Sequence, residues 1–144
     1  MLDGVKCKTL PIIHGEKGNV IKLIKKEDPH FLGFGEAYFS TIKKYDIKGW
    51  KKHKLMTCNL VVISGTVEFV IHDSRKVSKT YGCYDKFLLS ENQFKRLTIP
   101  PRLWFGFKGM DEKNIILNIS DIGHEKSEVI EHRADNNTYP EFLR

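Results

Sequence analysis

Two β-branched runs that meet at one glycine constrain this chain more than any other feature. Asn59-Leu-Val-Val-Ile-Ser-Gly65 is dense in strand formers and closed by glycine. Thr66-Val-Glu-Phe-Val-Ile-His-Asp73 follows at once, with Val67, Phe69 and Ile71 alternating against polar neighbours. A period of two is the mark of a strand with one buried face. The Ser64-Gly65 step predicts a tight corner between the two, because glycine adopts positive φ without steric cost.

Further strands are predicted over Val20 to Ile24, Glu36 to Ile42, Lys79 to Leu89, Lys95 to Ile99 and Asn114 to Ile119. They are punctuated by Asp28-Pro29, Gly49, Ser90-Glu91-Asn92, Pro100-Pro101 and Gly109. Short strands at this spacing imply an all-β sandwich or barrel. One helical turn is predicted over Ser127 to His132, with Ser127 as its cap. The polar stretch Ala134 to Thr138 predicts a loose tail.

The 144 residues suit one domain, large enough to bury about two-thirds of its unfolded surface. No apolar run approaches the roughly 18 residues of a membrane span, and the first residues lack the core of a signal peptide. A cytoplasmic protein with no membrane partner is expected. Cys7, Cys58 and Cys83 are odd in number and form no CxxC pair, so reduced thiols are expected. A formal charge of +6 favours anionic partners. The lysines are scattered in pairs and no nucleic-acid-binding motif accompanies them, which argues against nucleic acid.

Several blocks in order resemble the short members of the dTDP-4-dehydrorhamnose 3,5-epimerase-like cupins. They are DGV at Asp3, GEKGNV at Gly15, FGEAYFSTI at Phe34, the stretch from Ile47 to Arg75, LSENQFKRLTIPPRLWFGF at Leu89 and LNISDIGH at Leu117. The resemblance runs from about residue 3 to residue 130 and implies one cupin, or jelly-roll, barrel with little helix. It also implies a homodimer in which strands within residues 1–30 cross to the neighbour. The substrate class it implies is a nucleotide-linked 4-keto sugar, turned over for polysaccharide biosynthesis.

In that family a histidine of an RGxH-like segment removes a proton next to the ketone, assisted by a carboxylate, and a later tyrosine delivers a proton to the opposite face. This chain departs from the pattern. Lys51 stands where the histidine should follow Gly49-Trp50, His53 comes two residues later, and Ile122-Gly123 occupy the tyrosine region. Two readings stay open. Either Lys51 and His53, which a period of two places on one strand face, form a rearranged acid–base pair, or the chain is a catalytically silent cupin that binds a nucleotide sugar or a partner enzyme. Related ketoisomerases with an HxHK segment support a role for His53, since KKHK keeps its second histidine and its lysine.

Tyr38 joins Lys51 and His53 as the expected catalytic set. Alternation permits only one of Tyr38 and Phe39 to face the cavity. The resemblance assigns Lys17 to the nucleotide's phosphates and Glu36 to the strand lining its pocket. Lys48 and Arg96 are the expected diphosphate ligands, because charge-assisted bonds to phosphate oxygens are strong. Trp104 is a candidate platform for a sugar or base, and Asn59, Arg75, Asn118 and Asp121 complete the candidate binding set. No metal or other cofactor is expected: the first cupin segment offers only His53, and Phe105 stands where a histidine ligand belongs.

Overall fold

A computed structural model of the protein describes residues 1–133. The predicted loose tail lies outside the described residues. Among the described residues twelve strands run in chain order: β1 (Lys6–Thr9), β2 (Ile12–Ile13), β3 (Val20–Ile21), β4 (Glu36–Ile42), β5 (Ile47–His53), β6 (Cys58–Ser64), β7 (Thr66–His72), β8 (Tyr84–Ser90), β9 (Lys95–Ile99), β10 (Trp104–Gly109), β11 (Asn114–Ser120) and β12 (Val129–Glu131).

Two five-stranded antiparallel sheets face each other, ordered β1-β9-β6-β11-β4 and β12-β5-β10-β7-β8. This is the expected jelly roll. Alternate residues of the two inner faces form its core: Leu60, Val62, Leu97, Ile99 and Ile116 from one sheet meet Val67, Phe69, Ile71, Leu89 and Phe105 from the other. Each such side chain, fully buried, contributes roughly 1.5–3 kcal/mol of transfer free energy. Among the described residues no helix is long and apolar enough to cross a membrane.

The corner at Gly65 hands the chain from the first sheet, through β6, to the second, through β7. Gly65 has φ +78°, and a Cβ there would lie 2.3 Å from the Lys113 carbonyl oxygen. The buried Asn114 braces the corner: its Oδ1 accepts from the Thr66 N–H and its Nδ2 donates to the Ile42 carbonyl.

Three expectations need correction. The strand predicted over Val20 to Ile24 shrinks to β3, paired with β2 as a small two-stranded arm. The strand predicted from Lys79 starts only at Tyr84, because the buried Asp73 collects the side chains of Arg75, Ser78 and Thr80 into a turn. The helical turn predicted over Ser127 to His132 is a single 3-10 turn, Lys126–Glu128, after Glu125, which makes no side-chain cap bond. From Val129 the chain extends into β12, because the backbone there pairs with β5.

Candidate active site

A bulge in β5 builds one wall of a cavity between the two sheets. Phe105 pairs with Lys51 and Phe107 with Lys48, so three steps along β5 match two along β10. Directly paired residues share a face. Both phenylalanines belong to the interior, so the extra residue in β5 turns Lys48 and Lys51 inward together. Glycine is required at the bulge: Gly49 has φ +152°, and a Cβ there would meet the Gly106 Cα at 2.8 Å.

The opposite wall comes from β4 and β11. Tyr38 points into the cavity, while its neighbour Phe39 faces out and is 68% exposed. Beside Tyr38 lies Asn118, whose Oδ1 accepts from the Asn59 N–H and whose Nδ2 donates to the Tyr38 hydroxyl oxygen at 3.1 Å. A phenol that accepts from one side keeps its own O–H to donate elsewhere. Burial raises the pKa of Tyr38 above its ordinary value of 10.0, more than the bond from Asn118 lowers it. The phenol is thereby held in its proton-donating form.

The third side is β12, which sequence reasoning missed. Glu131 pairs with Lys51, and both line the cavity along with His132 and Arg133. Backbone bonds between Trp50 and His132 in both directions, and from Lys54 N–H to the Glu128 carbonyl, hold this edge on β5. Lysines at 48 and 51, Arg133 and one carboxylate at 131 make the cavity, of about 450 Å³, predominantly cationic.

His53 does not line that cavity. It is 7% exposed, stacked at 6.1 Å on Phe105, with Nδ1 2.7 Å from Glu128 Oε2. Burial pushes the Glu128 carboxyl up, but the bond from His53 and those from the Leu55 and Met56 N–H groups more than offset it, leaving the group below its ordinary range. The alternation that joins Lys51 and His53 on one face is preserved. Exposure separates them: Lys51 is exposed, whereas His53 is buried and borders a different depression with Lys52, Lys54 and Arg102.

Of the sequence-predicted residues, the cavity brings together Tyr38, Lys48, Lys51 and Asn118. Lys48 Nζ donates to the Thr41 carbonyl. The others lie elsewhere. Lys17 is in an exposed turn of the arm, and Glu36 lies beyond the cavity lining at the start of β4. Asn59 faces out of the barrel, where its Oδ1 accepts from Thr98. Arg75 is bound to Asp73, and Asp121 accepts from the Thr57 N–H. Trp104 packs outside the second sheet, under Lys52 and beside His132. Arg96 also points outward, into the arm.

These features sit on a chain whose residues 4–138 match the family model described as dTDP-4-dehydrorhamnose 3,5-epimerase. The chain belongs to the dTDP-4-dehydrorhamnose 3,5-epimerase family. Among solved structures of this epimerase fold, a dTDP sugar isomerase from Desulfovibrio desulfuricans is 32% identical with a TM-score of 0.89, covering 94% of this chain and 88% of its own. A 3'-monoepimerase from Streptomyces bikiniensis, solved with dTDP-quinovose, shares the fold at a TM-score of 0.84 and 12% identity, over 90% of this chain and 70% of that one. Among curated relatives, the spore coat polysaccharide biosynthesis protein of Bacillus subtilis is 28% identical over 78% of this chain and 74% of its own. The probable low-salt glycan biosynthesis epimerase of Haloferax volcanii is 24% identical over 81% and 77%. Isomerases or epimerases and proteins of glycan or polysaccharide biosynthesis thus recur among these relatives.

Proposed function

We propose that this chain epimerises a dTDP-linked 4-keto sugar, with Glu131 and Lys51 acting on one face of the ring and Tyr38 on the other. The observation that carries this reading is the placement of Lys51 and Tyr38 on opposite sheets, both lining one cavity. Inversion at a carbon needs a proton removed from one face and another delivered to the opposite one. Two walls meet that need better than two neighbours on one strand.

The C–H next to a ketone is acidic only when the enolate oxygen is stabilised. In this scheme the Glu131 carboxylate accepts that proton and the Lys51 ammonium holds the developing oxyanion. Tyr38, oriented by Asn118, then donates its proton to the carbon from the far wall. Lys48, with one N–H spent on Thr41, keeps two for diphosphate oxygens. His53 is a positioning residue: through Glu128 it holds β12 and therefore Glu131.

The same reading includes a homodimer. Lys17 lies away from its own cavity, and Phe34, Phe39, Ile13 and Val20 leave apolar surface uncovered around the arm and β4. A second copy would cover that surface and bring an arm toward the neighbouring barrel. Light scattering at twice the chain mass supports this part, and a monomer rejects it.

The central experiment is solvent deuterium incorporation into a panel of dTDP-linked 4-keto-6-deoxy sugars, read by mass spectrometry. Incorporation next to the carbonyl is expected. Binding of the panel without any exchange removes the proposal and leaves a silent sugar-nucleotide cupin.

A further inference from the structure

The guanidinium of Arg96 is half used. By the alternation of β9, Leu97 and Ile99 enter the core and Arg96 faces out, yet it is only 2% exposed because the N-terminal arm covers it. Its Nη1 donates to the Leu23 carbonyl at 2.7 Å and to Asp28 Oδ2 at 3.0 Å. Its Nε and Nη2 are buried and have no partner among the described residues. Those two nitrogens form the side-on edge of the group, whose parallel N–H bonds match a carboxylate or phosphate bidentately. A buried cationic donor left without a partner loses its hydration and gains nothing in return.

Arg96 also lines a cavity of about 310 Å³ between arm and sheet, separate from the one inside the barrel. Leu10, Leu23 and Ile24 contribute apolar walls, and Lys22 and Lys25 contribute further positive charge. The carboxylate present, Asp28, is engaged by Nη1 and by Lys8 at 3.7 Å, so it does not occupy the side-on edge. Charge therefore favours an anion, and the walls favour an apolar body attached to it.

We propose that the cavity beneath the arm binds an oxyanion carried on a small apolar body, held bidentately by Nε and Nη2 of Arg96. The apolar part lies against Leu10, Leu23 and Ile24. Both nitrogens are shut off from bulk solvent, so the arm gives way as the ligand enters. The site needs no assumption about the reaction in the barrel.

Isothermal titration of the full chain with hexanoate, hexyl phosphate, 1-hexanol and inorganic phosphate tests it. Saturable binding of hexanoate or hexyl phosphate is expected, and the stronger of the two identifies the head group. Arg96→Met should weaken it by about tenfold or more, and Arg96→Lys should not restore it, since an ammonium lacks the fork. Ile13→Trp fills the same cavity from a half-exposed position with Arg96 intact, and it should also abolish binding. The proposal is overturned if neither anion binds with a dissociation constant below about 1 mM, if hexanol binds as well as the anions, or if Ile13→Trp leaves binding unchanged.

Discussion

His53 and Glu128 are joined through Nδ1 and Oε2 at 2.7 Å, with both side chains buried. Glu128 closes the 3-10 turn just before β12, and its other oxygen accepts from the Leu55 and Met56 N–H groups. One carboxylate thus ties β12 to the end of β5. The pair determines where Glu131 stands without facing the cavity itself.

Replacing His53 by Asn should therefore act first on stability. The loss expected for a hydrogen bond to a charged partner is about 2 kcal/mol, read from urea unfolding. Deuterium exchange should fall by less than about tenfold, since the reacting groups remain. A complete loss of exchange in a folded variant would put His53 back among the catalytic groups.

Lys51→Met and Glu131→Gln should behave in the opposite way. Both residues are exposed within the cavity and lie outside the buried core, so stability should change by no more than about 0.5 kcal/mol. Exchange should drop by about 10²-fold or more. Full activity in either variant removes that residue from the scheme.

Tyr38→Phe separates removal of the proton from its delivery. Exchange from the Lys51 side should persist while formation of the inverted sugar falls by about 10²-fold or more. Because burial holds the native phenol above its ordinary 10.0, loss of activity through its ionisation belongs to the range above pH 10. An alkaline limb attributable to Tyr38 near neutrality contradicts this assignment.

Acid should loosen the arm. The bond from Arg96 outweighs burial and, with the His30 N–H and Lys8, lowers the Asp28 carboxyl from 3.8 to about 2. Its folded pKa is below its unfolded one, so the unfolded state binds more protons between those values and stability falls as pH drops through them. Urea midpoints of native protein and Asp28→Asn should differ most above about pH 4 and converge near pH 2. A difference that stays constant across this range excludes the linkage.

Gly65→Ala should cost about 2 kcal/mol or more, because the residue combines φ +78° with a Cβ position 2.3 Å from the Lys113 carbonyl oxygen. Thermal unfolding measures it. A neutral effect would mean that the corner relaxes freely.

The barrel was legible because its signals are local. The runs either side of Gly65 declare two strands and a corner, and a period of two correctly leaves only one of Tyr38 and Phe39 for the interior. The same rule held unused information: Arg96 alternates with Leu97 and Ile99, and Trp104 with Phe105, so both face away from the core. In the sequence Lys48 is marked only by its positive charge. Its orientation depends on a register shift against β10 that composition does not encode, although Gly49 marks the spot. Glu131 and His132 were hidden by a helical reading of a segment whose strand character comes from a distant partner, β5.

The single additional residue in β5 also sets a rule for engineering relatives of this protein. Excising it would restore an even rhythm to the strand and send one of the two lysines out through the barrel wall. The amino-acid content would hardly change, and the vessel would still close. It would have lost one of the two ammonium groups that now share its interior.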